Sequence, residues 1–318
     1  MKNSNKFLII ICLIVFVVVV SGLMIKTDIQ DTNFRQIFGA SVNLPEPDNF
    51  PPTSPPQKSS SYTEVQILSK SAILIDVSSS YVLFEQNADQ KLPIASTTKI
   101  ATALVVLENY HDKLQDVVTI TYPMINVAGS DIQLQPGEKI TVENLLKGLL
   151  IMSGNDTAYS LAAHFGGKES FVKEMNEKVR VIGLKNTVFQ DPAGLDDSGF
   201  SSARELAILG AYAMRNNQFK EIVKTPEVSI SSVDGGIIHE LKSSNRLIKT
   251  DESYYYPYAI GVKTGYTYEA GHCLVSSAQK DNHAILGVIL GTNEDSIYAS
   301  ARESKKLLDW GFSNWVWQ

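Results

Sequence analysis

The segment Pro93-Ile94-Ala95-Ser96-Thr97-Thr98-Lys99 runs directly into Ile100-Ala101-Thr102-Ala103-Leu104-Val105-Val106-Leu107-Glu108. The run predicts a helix over residues 97–108, with apolar side chains on nearly every face, so the helix is buried all round. A hydroxyl at Ser96 and an amine at Lys99 stand three residues apart at its start and share one face. An amine withdrawn from water holds its proton less firmly and can then take the proton of a neighbouring hydroxyl. Alone the pattern is weak. Ser170 with Lys173 and Ser277 with Lys280 repeat the spacing, and both pairs read as surface residues.

Working outward, residues 72–77 and 81–86 are β-rich runs around Ser78-Ser79-Ser80, which predicts a hairpin. Downstream, helical spacing covers residues 142–152, 156–165, 168–181 and 203–215, with Gly166, Gly167 and Gly183 as breakers. After Gly235-Gly236 the pattern returns to strands at 259–263, 273–278 and 284–290, followed by a closing helix over 296–310. A sheet built from both ends of the domain, with helices inserted between them, is an α/β arrangement with a cleft where the two parts meet.

Two further motifs give Ser96 company. Ser153-Gly154-Asn155 falls at the junction of two predicted helices, and Lys263-Thr264-Gly265 ends a predicted strand. Each tripeptide alone carries little weight, whereas the ordered set S-x-x-K, S-x-N and K-T-G is a known signature of class A β-lactamases and penicillin-binding proteins. Met152 and Asp156 flank the second motif, while Gly261-Val262 precedes the third and Tyr266-Thr267 and Ala270-Gly271 come after it. Over nearly all of residues 63–311 the chain resembles the low-molecular-mass penicillin-binding proteins, the D-alanyl-D-alanine carboxypeptidases. Ala193-Gly194-Leu195, Ser202-Ala203-Arg204-Glu205 and Asn245-Arg246-Leu247 are softer matches to the same family.

The resemblance implies a transpeptidase-like α/β fold, with an antiparallel sheet flanked by helices and a helical subdomain, and preceded here by one transmembrane helix. It implies Ser96 as the acylated nucleophile, Lys99 as its base and Ser153 as a proton relay toward the departing D-alanine. Asn155 is expected to hold the substrate amide, Lys263 to supply positive charge and Thr264 a hydroxyl for the terminal carboxylate. Gly265 is expected to let the strand backbone approach the substrate without a side chain in the way. Backbone N–H groups of Ser96 and Tyr266 are expected to form the oxyanion hole. Arg246 is a candidate carboxylate clamp or a surface ion pair. The implied substrate is a peptidoglycan stem peptide ending in D-Ala-D-Ala, with β-lactams as covalent inhibitors and no cofactor or metal.

Competing readings fare worse. A class A β-lactamase adds a glutamate in an E-x-x-L-N context to activate the deacylating water, and residues 153–263 contain none. A G-x-S-x-G elbow is also absent. A β-lactam or wall sensor that acylates without turnover is the reading from another class, and steady release of D-alanine would exclude it.

Composition narrows the rest. Lys plus Arg number 28 against 34 for Asp plus Glu, a net charge of -6 that repels phosphate backbones and disfavours nucleic acid as a partner. Cys12 and Cys273 lie too far apart in context to staple the globular part, and His111, His164, His239, His272 and His283 show no zinc spacing. Residues 7–25 form an apolar run long enough to cross a bilayer, with Lys2 and Lys6 before it. This predicts a cytoplasmic stub at 1–6, an uncleaved anchor at 7–25 and a Pro/Ser-rich spacer at 26–62, which carries the peptidase domain of 63–318 outside the cell membrane. Many family members carry a second β-rich domain and a C-terminal amphipathic anchor; here the N-terminal helix is expected to take over anchoring. Trp310, Trp315 and Trp317 are expected to pack on the closing helix.

Overall fold

The computed structural model describes residues 54–292 and 296–318. The expected stub, the anchor at 7–25 and spacer residues 26–53 lie outside the described residues. Pro52–Gln318 form one unit.

Its frame is a five-stranded sheet made of β1 (Ser71–Asp76), β2 (Val82–Gln86), β3 (Ala259–Thr267), β4 (Gly271–Lys280) and β5 (His283–Thr292). Spatial order is β2-β1-β5-β4-β3, and every neighbouring pair is antiparallel. The hairpin and the three late strands predicted from the sequence are therefore one sheet. Each late strand extends beyond its apolar run, because the backbone ladder continues where side chains turn polar.

The period-2 alternation of these strands divides the core in two. Ile73, Val275, Leu286 and Val288 face the helical body. Leu74, Leu274, Ile285 and Ile289 face the opposite side, with Leu307, Leu308 and Trp310. The first face is covered by the helix Ala203–Ala213, whose Gly210 lies against Val275 and Leu286. The second is covered by Ala299–Asn314, whose Gly311 lies against Leu74 and Ile285. Both faces are buried, which explains the almost continuous apolar reading of β1 and β5.

The helix predicted behind Ser96 is α1 (Lys99–Asn109), with every residue from Lys99 to Leu107 buried. A 3₁₀ turn, Ala95–Thr98, leads into it. The run expected to be one helix at 142–152 is α-helical over Val142–Lys147 and widens into a π-helical turn over Gly148–Met152. Such a turn shifts the register of the residues after it and is common at functional sites.

Several elements escaped the sequence reading. Glu227–Ser231 and Ile238–Lys242 form a hairpin around Asp234-Gly235-Gly236, with a clear in-out alternation and an Asp-Gly turn signal. Val117–Thr119 pairs with Lys139–Thr141, and Asn217–Val223 is a short helix capped by Asn216.

The segment read as spacer is held in the fold at its far end. Gln57 and Lys58 pair with Val316 and Trp315, and Ser59 N–H donates to Asn314 O at 2.9 Å. Tyr62 packs edge-on against Trp310 and Trp315, and Trp310 Nε1 donates to Thr63 O at 2.7 Å. The C-terminal tryptophans thus pack as expected, against the closing helix and against residues 57–63. Among the described residues no helix is long and apolar enough to cross a membrane.

Candidate active site

The turn that carries Ser96 is gripped from two sides. Ala95 adopts φ +48°, a conformation that non-glycine residues visit rarely. Thr97 Oγ1 donates to Ile94 O at 2.7 Å and fixes the turn's start. Gly265, on β3, packs directly on it: a β-carbon there would stand 3.0 Å from both Ile94 O and Ser96 N. Gly265 also borders the cavity beside Ser96. Its missing side chain makes room for the nucleophile's own backbone.

Lys99 is completely buried, and its Nζ makes three hydrogen bonds. It donates to Ser96 Oγ at 2.9 Å, to Asn155 Oδ1 at 2.7 Å and to Ala193 O at 2.8 Å. Burial lowers its pKa to about 7, against the pull of the Asp191 and Asp156 carboxylates, which favour the charged form. A group poised there exchanges protons near neutrality, as a general base must.

Asn155 opens the helix Asn155–His164, separated by the N-cap Gly154 from Ser153, which sits at φ +66° and ends the π-helical turn. Its backbone N–H donates to Ser130 O at 2.7 Å and its Nδ2 to Ala128 O at 2.6 Å. Asn155 was expected to hold the substrate amide; in the structure its side chain bridges Lys99 and the 128–130 segment. Asp156 beside it accepts N–H bonds from Ile132 at 3.1 Å, Leu134 at 3.2 Å and Thr157 at 2.8 Å. Burial pushes the Asp156 carboxyl up from its ordinary value.

Lys263 reaches the same interior with 1% of its surface exposed. Its Nζ donates to Thr264 O at 3.0 Å. The bond runs to the backbone of its own strand and not to the Ser96 hydroxyl. Burial first, then the charge of Lys99, holds its pKa well below the usual lysine range. Two amines sharing a dry interior cannot both keep their protons cheaply, and each favours the neutral form of the other.

In front of these lysines lies a cavity of ≈ 340 Å³ lined by Ser96, Ser153, Asn155, Thr264, Gly265 and Tyr266, among others. Three segments remote along the chain thus converge on one cleft, with Ser244 and Arg246 also on its wall. Ser244 Oγ and Thr264 Oγ1 are 2.6 Å apart. Arg246 is ion-paired with Glu252 and lies over the Tyr298 ring at 4.5 Å. It is a cleft residue and an ion-pair partner at once.

Asp191 was missed in the sequence. Its carboxylate accepts backbone N–H bonds from Ala193 at 2.6 Å, Gly194 at 2.7 Å, Leu195 at 2.9 Å and Asp196 at 2.7 Å. This folds the loop that presents Ala193 O to Lys99. The signal was Asp191-Pro192-Ala193-Gly194, an Asx-turn pattern.

A buried lysine on a serine hydroxyl, set where an antiparallel sheet meets a helical body, defines a penicillin-binding, transpeptidase-like fold. The chain belongs to the Peptidase_S11 family, D-alanyl-D-alanine carboxypeptidase, whose model matches residues 57–294. It is 37% identical over 251 residues to D-alanyl-D-alanine carboxypeptidase DacF of Bacillus subtilis (strain 168), covering 77% of this chain and 62% of that protein. It is 38% identical over 252 residues to D-alanyl-D-alanine carboxypeptidase DacC of Escherichia coli (strain K12), covering 76% of this chain and 60% of that protein. The crystal structure of the Streptomyces K15 DD-transpeptidase superposes with a TM-score of 0.73 at 32% identity, covering 79% of this chain and 99% of that one. The chain thus spans about three-fifths of the first two relatives, and nearly all of the third.

Proposed function

We propose that this protein is a serine-type D-Ala-D-Ala carboxypeptidase that trims peptidoglycan stem peptides through an acyl-enzyme on Ser96. The observation that carries the reading is the 2.9 Å hydrogen bond between Ser96 Oγ and a Lys99 amine whose pKa burial lowers to about 7. Neutral Lys99 takes the Ser96 proton as Oγ attacks the carbonyl carbon of the penultimate D-alanine. The oxyanion that forms is met by the backbone N–H groups of Ser96 and Tyr266, a contribution of about 3 kcal/mol per donor. Lys99 hands that proton on through the Ser153 hydroxyl to the departing amine nitrogen, the C–N bond breaks, and D-alanine leaves with Lys99 neutral again. Lys99 then takes a proton from water as the water oxygen attacks the ester carbon, and returns that proton to Ser96 Oγ as the ester C–O bond breaks.

Thr264, paired with Ser244, offers a hydroxyl to the terminal carboxylate, and Arg246 adds a permanent cation on the same wall. A β-lactam enters the same chemistry. Its leaving nitrogen remains tethered to the acyl group after ring opening, so it stays in the cleft and the ester persists. The domain works outside the cell, tethered to the membrane by residues 7–25 through the proline-rich segment beyond them.

Incubation of the full-length chain with a peptide ending in D-Ala-D-Ala, and separately with a fluorescent penicillin, tests the reading beside Ser96→Ala. Free D-alanine together with labelled protein is expected, both abolished in Ser96→Ala. Label without D-alanine identifies a sensor, and rapid loss of label a β-lactamase. Membrane fractionation with and without residues 7–25 tests the tether.

A further inference from the structure

Two glycines from different parts of the chain grip the turn that bears Ser96. A β-carbon on Gly265 would stand 3.0 Å from Ser96 N, and one on Gly194 would stand 2.0 Å from Ala95 O. Gly265 lies on β3, and Gly194 lies in the loop folded by the Asp191 carboxylate. Such contacts resist approach, yet a single non-bonded pair gains only about 0.1–0.2 kcal/mol against separation. The grip holds only if the strand and the loop are tied to each other.

Asp197 and Thr267 supply the tie. Thr267 Oγ1 donates to Asp197 Oδ1 at 2.6 Å, a hydroxyl on a carboxylate and therefore a charge-assisted bond. Thr267 ends β3, two residues after Gly265, and Asp197 follows Gly194 by three. A closed circuit results. It runs from the Ser96 turn to Gly265, along β3 to Thr267, across to Asp197, and back through the loop to Gly194 and Ala95.

Both ends of the tie are themselves held. Thr267 Oγ1 also accepts the Ala270 N–H at 3.0 Å, so the hydroxyl is engaged as donor and as acceptor. In the strand ladder Tyr266 pairs with His272 and Thr267 with Gly271, and the Tyr266 ring stacks on His272 with centroids 4.3 Å apart. In the loop, Asp191 accepts the N–H groups of Leu195 and Asp196 at 2.9 and 2.7 Å. Asp196 accepts the N–H groups of Ser198, on its side chain, and Gly199, on its backbone, both at 3.0 Å. Asp197 thus stands between residues pinned on either side, and its carboxylate is the group that reaches β3.

Leu195 and Tyr266 line the cleft, whereas neither Asp197 nor Thr267 does. The arrangement fits a part in holding the site and not in touching substrate. The loop also carries Ala193 O, which accepts from Lys99 Nζ at 2.8 Å. Separation of loop and strand would shift the nucleophile, an anchor of its base and the Tyr266 N–H relative to one another.

We propose that Asp197 is a positioning residue for acylation: its bond with Thr267 clasps the Asp191 loop to β3 and so holds the Ser96 turn between Gly194 and Gly265. The inference rests on Ser96 acylation as proposed above, and it concerns the rate of that step, not the affinity of the cleft.

The test uses the full-length chain with Asp197→Asn, Asp197→Ala, Thr267→Val and the double variant Asp197→Ala/Thr267→Val. Labelling of Ser96 by a fluorescent penicillin over a range of concentrations separates the dissociation constant from the acylation rate constant of the bound complex. Asp197→Ala is expected to lower that rate constant by about tenfold, since small misplacements of reacting groups are costly, with the dissociation constant unchanged. Asparagine keeps an oxygen that can accept from Thr267, so Asp197→Asn is expected to stay within about threefold of wild type. In Thr267→Val the partner is already gone, and adding Asp197→Ala is expected to change little, as for any coupled pair. An Asp197→Ala variant that acylates like wild type overturns the inference. So does an Asp197→Asn variant as slow as Asp197→Ala, which assigns the effect to charge and not to the clasp. Equal losses from Asp197→Ala with and without the Thr267 hydroxyl overturn it as well, as does a loss confined to the dissociation constant. Absence of labelling in wild type overturns the acylation reading itself, and this inference with it.

Discussion

Gly194 and Ala95, remote in sequence, meet so closely that a β-carbon on Gly194 would stand 2.0 Å from the Ala95 carbonyl oxygen. Gly194 also has φ +77°, and Gly235, at φ +71°, has open space where its side chain would be. The pair separates backbone strain from packing. Gly235→Ala is expected to cost about 1 kcal/mol, the usual penalty for a left-handed residue. Gly194→Ala carries that penalty and must also push back the turn bearing Ser96. Its acylation rate is expected to fall at least about tenfold, since small misplacements of a nucleophile are costly. Thermal unfolding and penicillin-labelling rates of the two variants check this.

The pH dependence of acylation below neutrality reports Lys99. With its pKa lowered to about 7, the amine is a base only above that pH. Acylation is expected to rise through about 7 and to fall roughly tenfold per unit below it. Stability depends on the same proton in the folded and unfolded chains. Between about 7 and the lysine's ordinary 10.5, the unfolded chain binds a proton that the native state does not, so this residue's contribution to stability rises with pH across that window. Lys99→Arg, which cannot release its proton, is expected to fold and to show no acylation at any pH.

Asp191→Asn is expected to weaken both fold and site. Four backbone N–H groups converge on its carboxylate, and an amide replaces one of the two acceptor oxygens with a donor. At least one buried N–H then loses its acceptor, at roughly 1–3 kcal/mol. Ala193 O, one of the three anchors of Lys99, moves with the loop. A lower melting temperature together with slower acylation at pH 8 is the expected result, and unchanged values of both would contradict this role.

Residues 57–62 are expected to be part of the folding unit. A chain beginning at residue 63 loses the strand pairing of Gln57 and Lys58 and the packing of Tyr62 on Trp310 and Trp315. Compared with a chain beginning at residue 54, it is expected to be less stable by about 1–3 kcal/mol. Denaturant midpoints of the two chains measure the difference.

Much of the site was legible along the chain, because its signals are short. Ser96 and Lys99 share a face through helical spacing, and the positions of Ser153, Asn155, Lys263 and Thr264 emerge from two tripeptides whose order carries the information. Gly265 is legible as a position without a side chain, but its packing on the turn that bears Ser96 is not, since a missing β-carbon is visible in a sequence and the group next to it is not. Arg246 was left between two roles for a similar reason, and the structure gives it a place in the cleft and an ion-pair partner together. The hairpin at 227–242 had both its alternation and its Asp-Gly turn in plain text and was overlooked; no contact with the known motifs drew attention to it.

What the amino-acid order determined by itself is the set of local structures: the buried helix behind Ser96, the sheet strands and the hydroxyl and amine three residues apart. Their energies depend on neighbours within a few positions, so periodicity and turn chemistry suffice. Only the tertiary structure decided that Lys99 and Lys263 are both dry, and that Asp191 shapes a carbonyl for one of them. Proton affinity is set by desolvation and by charges arriving through space, and those distances exist only after remote segments have packed together.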